Sequence, residues 1–422
     1  MDTIFALSSG APPAAIGVIR ISGPGSGNAL KSLAGRLPPA RRTSLAKLHD
    51  ASGNLLDEAL ILWFPGPATA TGEDCAEIHC HGGRAVIAAI GRALAAIPGL
   101  RAAEAGEFTR RAFANGRLDL AEAEGLADLL SAETELQRAV AVNAAEGGLS
   151  RQFGDWRERL LVLSAQIESA LDFSDEDDVP DLPESFLPAY RLLAQEFDEV
   201  LDRPGLERLR DGIRVVLAGP PNAGKSTLFN AILQSEAAIV SPMAGTTRDV
   251  IERPVAIAGI PFVFIDTAGL RDHTADAIEQ IGMDRAADEV TRADIVLWLG
   301  QEGDGPEGAW EIETRADEGG SVKDAPRHRV SGKTGEGLEG LTEDLARAAS
   351  SILPKPGVGA VNQRQRELLA IGRSALGDAP NPDLLLAAEQ LRQARSAFDR
   401  ILGNAATEDM LDTLFGRFCI GK

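Results

Sequence analysis

The chain has 422 residues, a length that predicts about three domains. Its 44% hydrophobic and 5% aromatic content is typical of globular cores, and its formal net charge of −21 argues against a protein that wraps RNA by bulk attraction. No apolar run is long enough to span a membrane, and three cysteines without an evident pairing pattern indicate a reducing cytoplasm. We therefore expect a cytoplasmic multidomain protein whose nucleic-acid contacts, if any, are local or delegated to a partner.

The N-terminal segment, residues 1–117, alternates short β-rich runs with Gly and Pro turns. One helix is predicted near residues 85–96. This pattern is typical of an α+β domain.

A strand is predicted from Cys75 to His81, and its two faces differ in chemistry. One face is apolar and suits a core: Ala76, Ile78 and Cys80. The other is polar and suits a pocket or solvent: Glu77, His79 and His81. Cysteine and histidine residues so close together are also candidate zinc ligands. However, their spacing is not C-x-x-C, and no second ligand pair follows. Zinc binding is therefore disfavoured.

From Leu118 the pattern becomes helical, and it does so again in the last part of the chain. One apolar stripe recurs at spacings of three and four: Phe153, Trp156, Leu160, Leu163, Ile167 and Leu171. A second stripe shares one register: Leu384, Leu391, Ala394 and Phe398. Both stripes predict the buried faces of helices in a bundle.

Residues 219–226, GPPNAGKS, fit the pattern G-x-x-x-x-G-K-[ST]. An apolar run at 213–218 predicts a strand before it, and 227–233 predicts a helix after it. In this setting backbone N–H groups surround a phosphate chain, Lys225 reaches the outer phosphates and the Ser226 hydroxyl binds Mg²⁺. The predicted nucleotide-binding residues of the loop are Asn222, Ala223, Gly224, Lys225, Ser226 and Thr227.

Two later segments indicate GTP. GTTRD at 245–249 lies where a mobile loop would follow the P-loop helix, and a predicted strand at 261–265 ends in DTAG at 266–269. Asp266 can hold the magnesium shell, and Thr247 can complete it when triphosphate is bound. The other nucleotide-binding residues predicted in these segments are Thr246, Thr267, Ala268 and Gly269, whose N–H can sense the γ-phosphate.

Leu270 stands where many GTPases carry a glutamine that positions water, so catalysis must use another group. Asn222 offers a neutral oxygen beside the phosphates, where a monovalent cation could supply the charge of an arginine finger. Glu279 could orient water as a carboxylate, although its spacing alone favours a solvated helix charge.

Guanine is normally selected by N-K-x-D, and this chain departs from that motif. The best candidate is TRAD at 314–317, which keeps Asp317 but lacks Asn and Lys. The loop that follows is Ser331-Gly332-Lys333 in place of the usual S-A-K. Residues 300–308 are rich in Gly, Glu and Asp, so we expect one helix of the G domain to be missing or shortened. Adenine remains the alternative to guanine, so ATP is the alternative nucleotide.

Together these motifs resemble the tRNA modification GTPase family MnmE, also called TrmE. The matching segments within the G domain are GPPNAGKS, AGTTRD at 244–249 and DTAGLR at 266–271. Those outside it are GVIRISG at 17–23, TGED at 71–74, GEFTRRAF at 106–113, NGRLDLAEAE at 115–124 and FCIGK at 418–422. The resemblance runs from one end of the chain to the other.

The resemblance implies a potassium-dependent GTPase with Glu279 as its catalytic residue. It places Mg²⁺ on Ser226 and Thr247. It places K⁺ on the Asn222 side chain and on backbone groups of three residues: Ser241, Met243 and Thr246. It also implies a pocket for a tetrahydrofolate derivative (methylene- or formyl-tetrahydrofolate), with contacts from Arg20, Glu77, Arg117 and Lys422.

The architecture that follows is a multidomain α/β and α fold, with a P-loop GTPase domain of Ras-like α/β type inserted into a helical bundle. The expected segments are an N-terminal α+β tetrahydrofolate-binding and dimerisation domain (1–117), the first helical part (118–210), the G domain (211–355) and the second helical part with the FCIGK motif (356–422). Insertion would let the tail return to the first domain.

The implied function is modification of carbon five of the wobble uridine of certain tRNAs, which adds an aminomethyl or carboxymethylaminomethyl group. Methylene-tetrahydrofolate would supply the one-carbon unit, and an FAD-containing partner, MnmG, would join the homodimer in a heterotetramer-type complex. The alternative is a GTPase switch that binds RNA or ribosomal particles without folate chemistry. The FCIGK motif and the folate residues favour the first.

Two groups of basic residues are candidates for a local RNA contact. The first comprises Arg36, Arg41, Arg42 and Lys47, and the second Arg110 and Arg111. Dispersed surface charge explains either group equally well.

Overall fold

The computed structural model describes residues 2–172, 182–235, 237–238, 251–266, 287–319, 323–355, 357, 359–405 and 407–421. Its residues form two compact units, one of 2–127 with 399–421 and one within 128–398. The four segment boundaries expected from the sequence stay predictions.

The strands and helices follow one another along the chain in three stretches. In the first 131 residues they are β1 Thr3–Leu7, β2 Ile16–Ser22, α1 Ser26–Ala34, β3 Ser44–His49, β4 Leu55–Phe64, β5 Cys75–His81, α2 Arg84–Ala95, β6 Leu100–Ala102, α3 Glu107–Ala114 and α4 Leu120–Ser131. Up to the P-loop helix they are α5 Glu135–Ala145, α6 Gly148–Asp172, α7 Phe186–Leu201, α8 Glu207–Asp211, β7 Ile213–Ala218 and α9 Lys225–Ser235. Beyond it they are β8 Ala237–Ala238, β9 Ile251–Ile257, β10 Ile260–Asp266, β11 Ile295–Trp298, β12 Trp310–Glu313, β13 His328–Arg329, α10 Leu338–Ile352, α11 Gln363–Leu376, α12 Leu384–Leu402 and α13 Glu408–Phe415.

The first unit contains a six-stranded sheet in the order β3-β4-β5-β2-β1-β6. The apolar face of β5 is buried as predicted, in one core with residues of α1 and α2. The expectation of a single helix in this region is wrong, because α1 and α3 also form. The signal for α1 was present, since Ser26, Ala29, Leu30 and Leu33 are buried at helical spacing.

The helices α6, α7 and α12 share an aromatic core in the second unit. Trp156 packs with its ring centroid 4.8 Å from that of Phe197, which in turn lies 5.1 Å from Phe398. Phe153 is also fully buried among them. The two predicted apolar stripes therefore meet in space, although Leu171, at the end of the first, is only half-buried.

The G domain contains a seven-stranded sheet in the order β13-β12-β11-β7-β10-β9-β8. β7 occupies residues 213–218 as predicted, and it pairs in parallel with β10 and with β11. Because the carboxyl ends of parallel strands meet at one edge, the P-loop after β7 and Asp266 at the end of β10 lie together there. This is the P-loop GTPase-type α/β fold expected from the sequence.

The connection from β11 to β12, residues 299–309, contains no helix, which confirms the shortened G domain. Parallel strands normally need a crossover of a dozen or more residues, usually a helix. Here a glycine-containing loop lies on the Trp298 indole, whose Nε1–H donates to the Gln301 carbonyl at 2.8 Å. A Cβ at Gly305 would lie 2.7 Å from Trp298 Cγ, so only glycine permits this approach.

The C-terminal tail joins the first unit beside the end of β1. Ala105 and Ile420 form an isolated antiparallel bridge. The Ser8 hydroxyl donates to the Gly421 carbonyl at 2.8 Å. Phe418 is 4% exposed and packs with Phe415 and Leu120. The first and last parts of the chain therefore belong to one folded unit.

Candidate functional site

The P-loop lies at the start of α9, with Lys225 at its centre. Lys225 is 5% exposed, and its ammonium donates to the Gly219 carbonyl at 2.9 Å and the Pro220 carbonyl at 2.8 Å. Asn222 has a φ of 60°, a left-handed conformation that asparagine adopts more readily than most residues. The loop thus curls around its own lysine at a helix N-terminus, the arrangement that suits phosphate binding.

Two of the residues predicted to serve magnesium, Ser226 and Asp266, are in direct contact. The Ser226 hydroxyl donates to Asp266 Oδ2 at 2.7 Å, and Asp266 is 2% exposed. A hydroxyl and a carboxylate at the carboxyl edge of β7 and β10 are oxygen donors of the type that Mg²⁺ prefers. The residues present therefore fit a magnesium site.

The TRAD segment packs against the P-loop. The Thr314 hydroxyl donates to the Ala223 carbonyl at 2.8 Å, and Arg315 Nη2 donates to the Asn222 carbonyl at 3.0 Å. A threonine and an arginine thus tie this segment to the phosphate loop, where the usual motif has asparagine and lysine. The replacement keeps Asp317 beside the nucleotide site.

Asp317 faces a cavity of about 460 Å³ that runs from the P-loop to residues 331–333. We call residues 331–333 the base loop. The residues that line it are Asn222, Gly224, Lys225, Ser226, Thr227, Leu228, Thr314, Arg315, Asp317, Glu318, Ser331, Gly332 and Lys333. A hydrogen bond from Ser331, with the charges of Lys333 and Arg315, holds the pKa of Asp317 below its usual range. Asp317 is therefore an acceptor at neutral pH, as recognition of the guanine edge requires.

Glu318 is a further residue of this cavity, and the sequence pattern does not single it out. Its carboxylate accepts from Lys333 Nζ at 2.9 Å and lies 3.8 Å from Arg315 Nη1. No sequence signal separates it from a solvated carboxylate, because only the fold brings Lys333 to it. It orients the two cations that flank Asp317.

The base loop approaches the P-loop helix closely at Gly332. A Cβ added at Gly332 would lie 2.9 Å from the carbonyl oxygen of Thr227 and 3.0 Å from its Cγ2. This contact accounts for glycine where S-A-K has alanine. The loop is held by Ser331, which is fully buried and accepts from the backbone N–H groups of Lys333 and Thr334.

Several predicted site residues lie outside the described part of the chain. They are Ser241, Met243, Thr246, Thr247, Thr267, Ala268, Gly269, Glu279 and Lys422. Their roles stay predictions.

A second group of candidate residues lies on the polar face of the N-terminal sheet. Arg20 and Glu77 are directly opposite each other on β2 and β5, and Arg20 Nη2 donates to Glu77 Oε1 at 3.1 Å. His79 Nε2 lies 3.0 Å from Glu77 Oε2. Burial alone would raise the pKa of Glu77, but the hydrogen bond from His79 and the charge of Arg20 outweigh it and hold that pKa below its usual range.

Arg117 and the C-terminal tail border the same sheet. Arg117 is exposed, in a loop where Asn115 Nδ2 donates to the Thr71 carbonyl at 2.7 Å. The Thr71 hydroxyl lies 2.7 Å from that of Ser22, two residues beyond Arg20 on β2. On the other side Gly421 contacts Ser8, next to the end of β1.

Zinc binding finds no support in the described part of the chain, where no group of three or more suitable ligands occurs. Cys80 lies in the core beneath the sheet, whereas Cys75 contacts the Thr71 hydroxyl at 3.2 Å on the opposite face. Residues five apart on a strand cannot share one metal.

Arg110 and Arg111 both form ion pairs within the chain. Arg110 pairs with Asp412, its Nη1 2.6 Å from Oδ1, and also with Glu408. Arg111 is bound by three carboxylates, those of Asp2, Glu73 and Glu107. The side chains therefore hold the first unit together.

Within the described part, no helix has the length and hydropathy needed to cross a bilayer.

Comparisons with known proteins agree with these features. The family model described as "GTP-binding protein TrmE N-terminus" matches residues 3–117, and that described as "MnmE helical domain" matches residues 120–419. Three similar curated proteins are each called tRNA modification GTPase MnmE. Those of Erythrobacter litoralis and Novosphingobium aromaticivorans are 65% and 59% identical, and all of both chains is covered in each case. That of Rhizorhabdus wittichii is 55% identical over all of this chain and 97% of its own. The chain therefore belongs to the tRNA modification GTPase MnmE family.

Proposed function

We propose that this chain hydrolyses GTP in the modification of carbon five of the wobble uridine of tRNA. The observation that carries the GTPase part is the contact of Asp266 with Ser226, which lines the same cavity as Lys225 and Asp317. One end of this cavity suits phosphates and magnesium, and the other suits a guanine edge.

Within the proposed site each residue has a distinct task. Lys225 would leave the two loop carbonyls that it now contacts and bind the outer phosphates. Ser226 and Asp266 would hold Mg²⁺, which when bound neutralises charge on the phosphate oxygens. Asp317 would accept the two donors of the guanine edge, and Arg315 would lie along the base in place of the usual lysine.

Potassium and Glu279 complete the proposal. Asn222 would offer its side-chain oxygen to K⁺ beside the phosphates, with backbone groups of Ser241, Met243 and Thr246. Thr247 would join Ser226 at magnesium, and Glu279 would orient the attacking water. The exposed position of Asn222 in the phosphate loop supports this role.

The test of the GTPase proposal is the hydrolysis rate of the full chain in potassium against sodium. We expect a rate that is high only in potassium and that Asn222→Ala abolishes, while Asn230→Ala, an exposed asparagine on α9, leaves it unchanged. Equal rates in both salts would exclude a cation in place of an arginine finger.

The folate proposal rests on the Arg20–Glu77–His79 group and on the tail beside β1. Because Arg20 contacts Glu77 directly, the two would recognise the same part of the ligand. The Glu77 carboxylate, which accepts hydrogen bonds, suits the donors of the pterin edge. Arg117 and Lys422 are then the cations left for the glutamate tail.

Titration of the full chain with a formyl-tetrahydrofolate tests this site by calorimetry. Glu77→Gln should weaken binding about tenfold or more, since a charge-assisted hydrogen bond is lost. Glu58→Gln, an exposed carboxylate on neighbouring β4, is the control and should bind as the unmodified chain does. Identical affinity of the two variants would remove Glu77 from the site.

We further propose a cytoplasmic homodimer that works with an FAD-containing MnmG partner and a methylene-tetrahydrofolate one-carbon donor. On the polar face of the N-terminal sheet, Leu45 and Leu60 are directly paired and are 57% and 42% exposed. Ile16 is exposed on the same face. This apolar area suits a second copy of the chain. A monomer at micromolar concentration in light scattering would contradict the dimer.

The alternative, a GTPase switch on RNA or ribosomal particles without folate chemistry, keeps the same nucleotide site. It predicts no folate binding by the full chain. The ion-paired Arg20–Glu77–His79 group favours the first function, since a switch has no use for it.

A further inference from the structure

We propose that the loop between α1 and β3 binds the RNA phosphate backbone through Arg36, Arg41 and Arg42, an inference that rests on the proposed tRNA substrate. We call these three residues the basic loop. It would give a strongly acidic protein a local contact with tRNA.

The charge distribution along the chain singles this region out. Residues 3–49 contain six of the 42 lysines and arginines and none of the 63 aspartates and glutamates. Elsewhere the acidic excess would repel a polyanion. A surface that this segment provides would therefore repel RNA less than the acidic parts of the chain do.

The fold gathers the basic loop at one edge of the N-terminal sheet, where β3 is the last strand. Arg36 Nη2 donates to the Leu45 carbonyl on β3 at 3.0 Å. The Arg41 backbone N–H donates to the Trp63 carbonyl at the end of β4 at 2.8 Å, and its guanidinium lies 5.9 Å from the centre of the Phe64 ring. All three arginines are exposed.

No carboxylate of the described residues neutralises the basic loop, whose three guanidinium groups have no ion pair there. The nearby acids of the β4–β5 connection are engaged elsewhere. Glu73 pairs with Arg111, and Asp74 accepts from the Gly66 N–H at 2.8 Å. Lys47 is left out of the basic loop because Glu58 lies directly opposite it on β4.

The two candidate basic groups of the sequence therefore differ in the structure. Arg110 and Arg111 are paired with carboxylates of the chain, whereas no carboxylate of the described residues pairs with the basic loop. Guanidinium groups recognise phosphate oxygens with two parallel hydrogen bonds, and several at one edge can follow successive phosphates.

The experiment measures binding of labelled tRNA to the full chain by fluorescence anisotropy across a range of KCl concentrations. The test variant is Arg36→Gln with Arg42→Gln, which leaves Arg41 on Phe64. The control is Arg138→Gln with Arg392→Gln, two exposed arginines in local pairs with Glu135 and Glu389. Both variants change the net charge equally, and neither touches the nucleotide site.

We expect the test variant to lose about tenfold or more in affinity and to lower the slope of log K against log salt by about 1.5 to 2, since two phosphate contacts disappear. The control should match the unmodified chain. GTPase rate and melting temperature of both variants should be unchanged.

Equal affinities of test variant and unmodified chain would overturn the inference, as would an equal loss in the control, which would indicate bulk charge. Another outcome is that the unmodified chain fails to bind tRNA while tRNA is still modified in the presence of the partner. That result would overturn the proposed role of the basic loop and leave the proposed function intact. A test variant that binds tRNA normally but no longer supports modification would also overturn the inference, and it would indicate that the basic loop contacts the partner protein. Loss of modification by the unmodified chain itself would instead contradict the proposed function.

Discussion

We propose that base selection in this chain depends on Asp317. Its surroundings differ from the usual motif, yet the Thr314 and Arg315 contacts to the P-loop fix it beside the cavity. A hydrogen bond from Ser331, with the charges of Lys333 and Arg315, lowers the pKa of its carboxyl.

Asp317→Asn should lower GTP affinity about 10- to 100-fold, because the amide offers one acceptor and one donor where guanine presents two donors. The same variant should gain affinity for xanthosine triphosphate, whose base edge matches an amide. Fluorescent nucleotide titration measures both. Glu318→Gln is the control in the same cavity and should stay within about threefold for GTP. A variant at Asp317 that still prefers GTP would mean that the base is read elsewhere.

Gly332 shows how a departure from a motif can be a packing requirement. Gly332→Ala restores the usual residue but should destabilise the G domain by about 1 to 3 kcal/mol, because its Cβ would meet the Thr227 carbonyl at 2.9 Å. Thermal unfolding with and without GTP measures the effect. Gly340→Ala, in α10 with no atom near the added Cβ, should be neutral or stabilise by up to about 1 kcal/mol. Equal melting temperatures for the two variants would show that the base loop shifts freely.

At the scale of elements, Tyr190 ties α7 to α11. It is fully buried, and its hydroxyl donates to the Leu376 carbonyl. Burial raises the pKa of Tyr190 to about 12. A phenol whose pKa is higher in the folded than in the unfolded protein stabilises the fold fully below the unfolded value. That stability is lost as pH rises through the folded value.

We therefore expect stability to fall between about pH 10 and pH 12, by about 2 to 3 kcal/mol in total from this group. Tyr190 is the only tyrosine of the chain, so tyrosinate absorbance follows it without ambiguity. Tyr190→Phe should abolish both the signal and this part of the pH dependence. Titration of the folded chain at the ordinary pKa would show that the hydroxyl is solvated.

The β11–β12 connection shows a different compromise between elements. A loop replaces the helix that usually connects parallel strands, and Gly305 lets this loop lie on the Trp298 indole. Sequence composition predicted that the helix is absent. The packing of this loop on the Trp298 ring depends on contacts that no local sequence pattern predicts.

At the scale of the whole molecule, the last residues complete the first unit. Phe418→Ala should destabilise that unit by about 3 to 5 kcal/mol, because a buried ring among Phe415 and Leu120 is lost. Ile420→Ala, whose side chain is 63% exposed, should change stability by less than about 0.5 kcal/mol. Denaturant unfolding of the full chain, followed by hydrogen exchange in residues 2–127, measures the stability of this unit in the two variants. Comparable effects would mean that the tail is held by its backbone alone.

Local patterns were sufficient for the elements whose signal lies within a few residues. Strands β5 and β7, the P-loop and the apolar stripe of α6 all follow from alternation, helical spacing or phosphate-loop glycines. The additional helices α1 and α3 were not predicted because each is short and surrounded by glycines.

The sequence by itself determined the family, the nucleotide loop and the polar face of β5, because motif spacing and side-chain periodicity are properties of the local chain. Only tertiary structure decided which charges are free. Arg110 and Arg111 are paired with carboxylates on α3, α13 and neighbouring loops, Glu318 is placed between Arg315 and Lys333, and the basic loop is left without an acid among the described residues. Electrostatic partners are set by distance in space, and residues hundreds of positions apart in the chain become neighbours only through the fold.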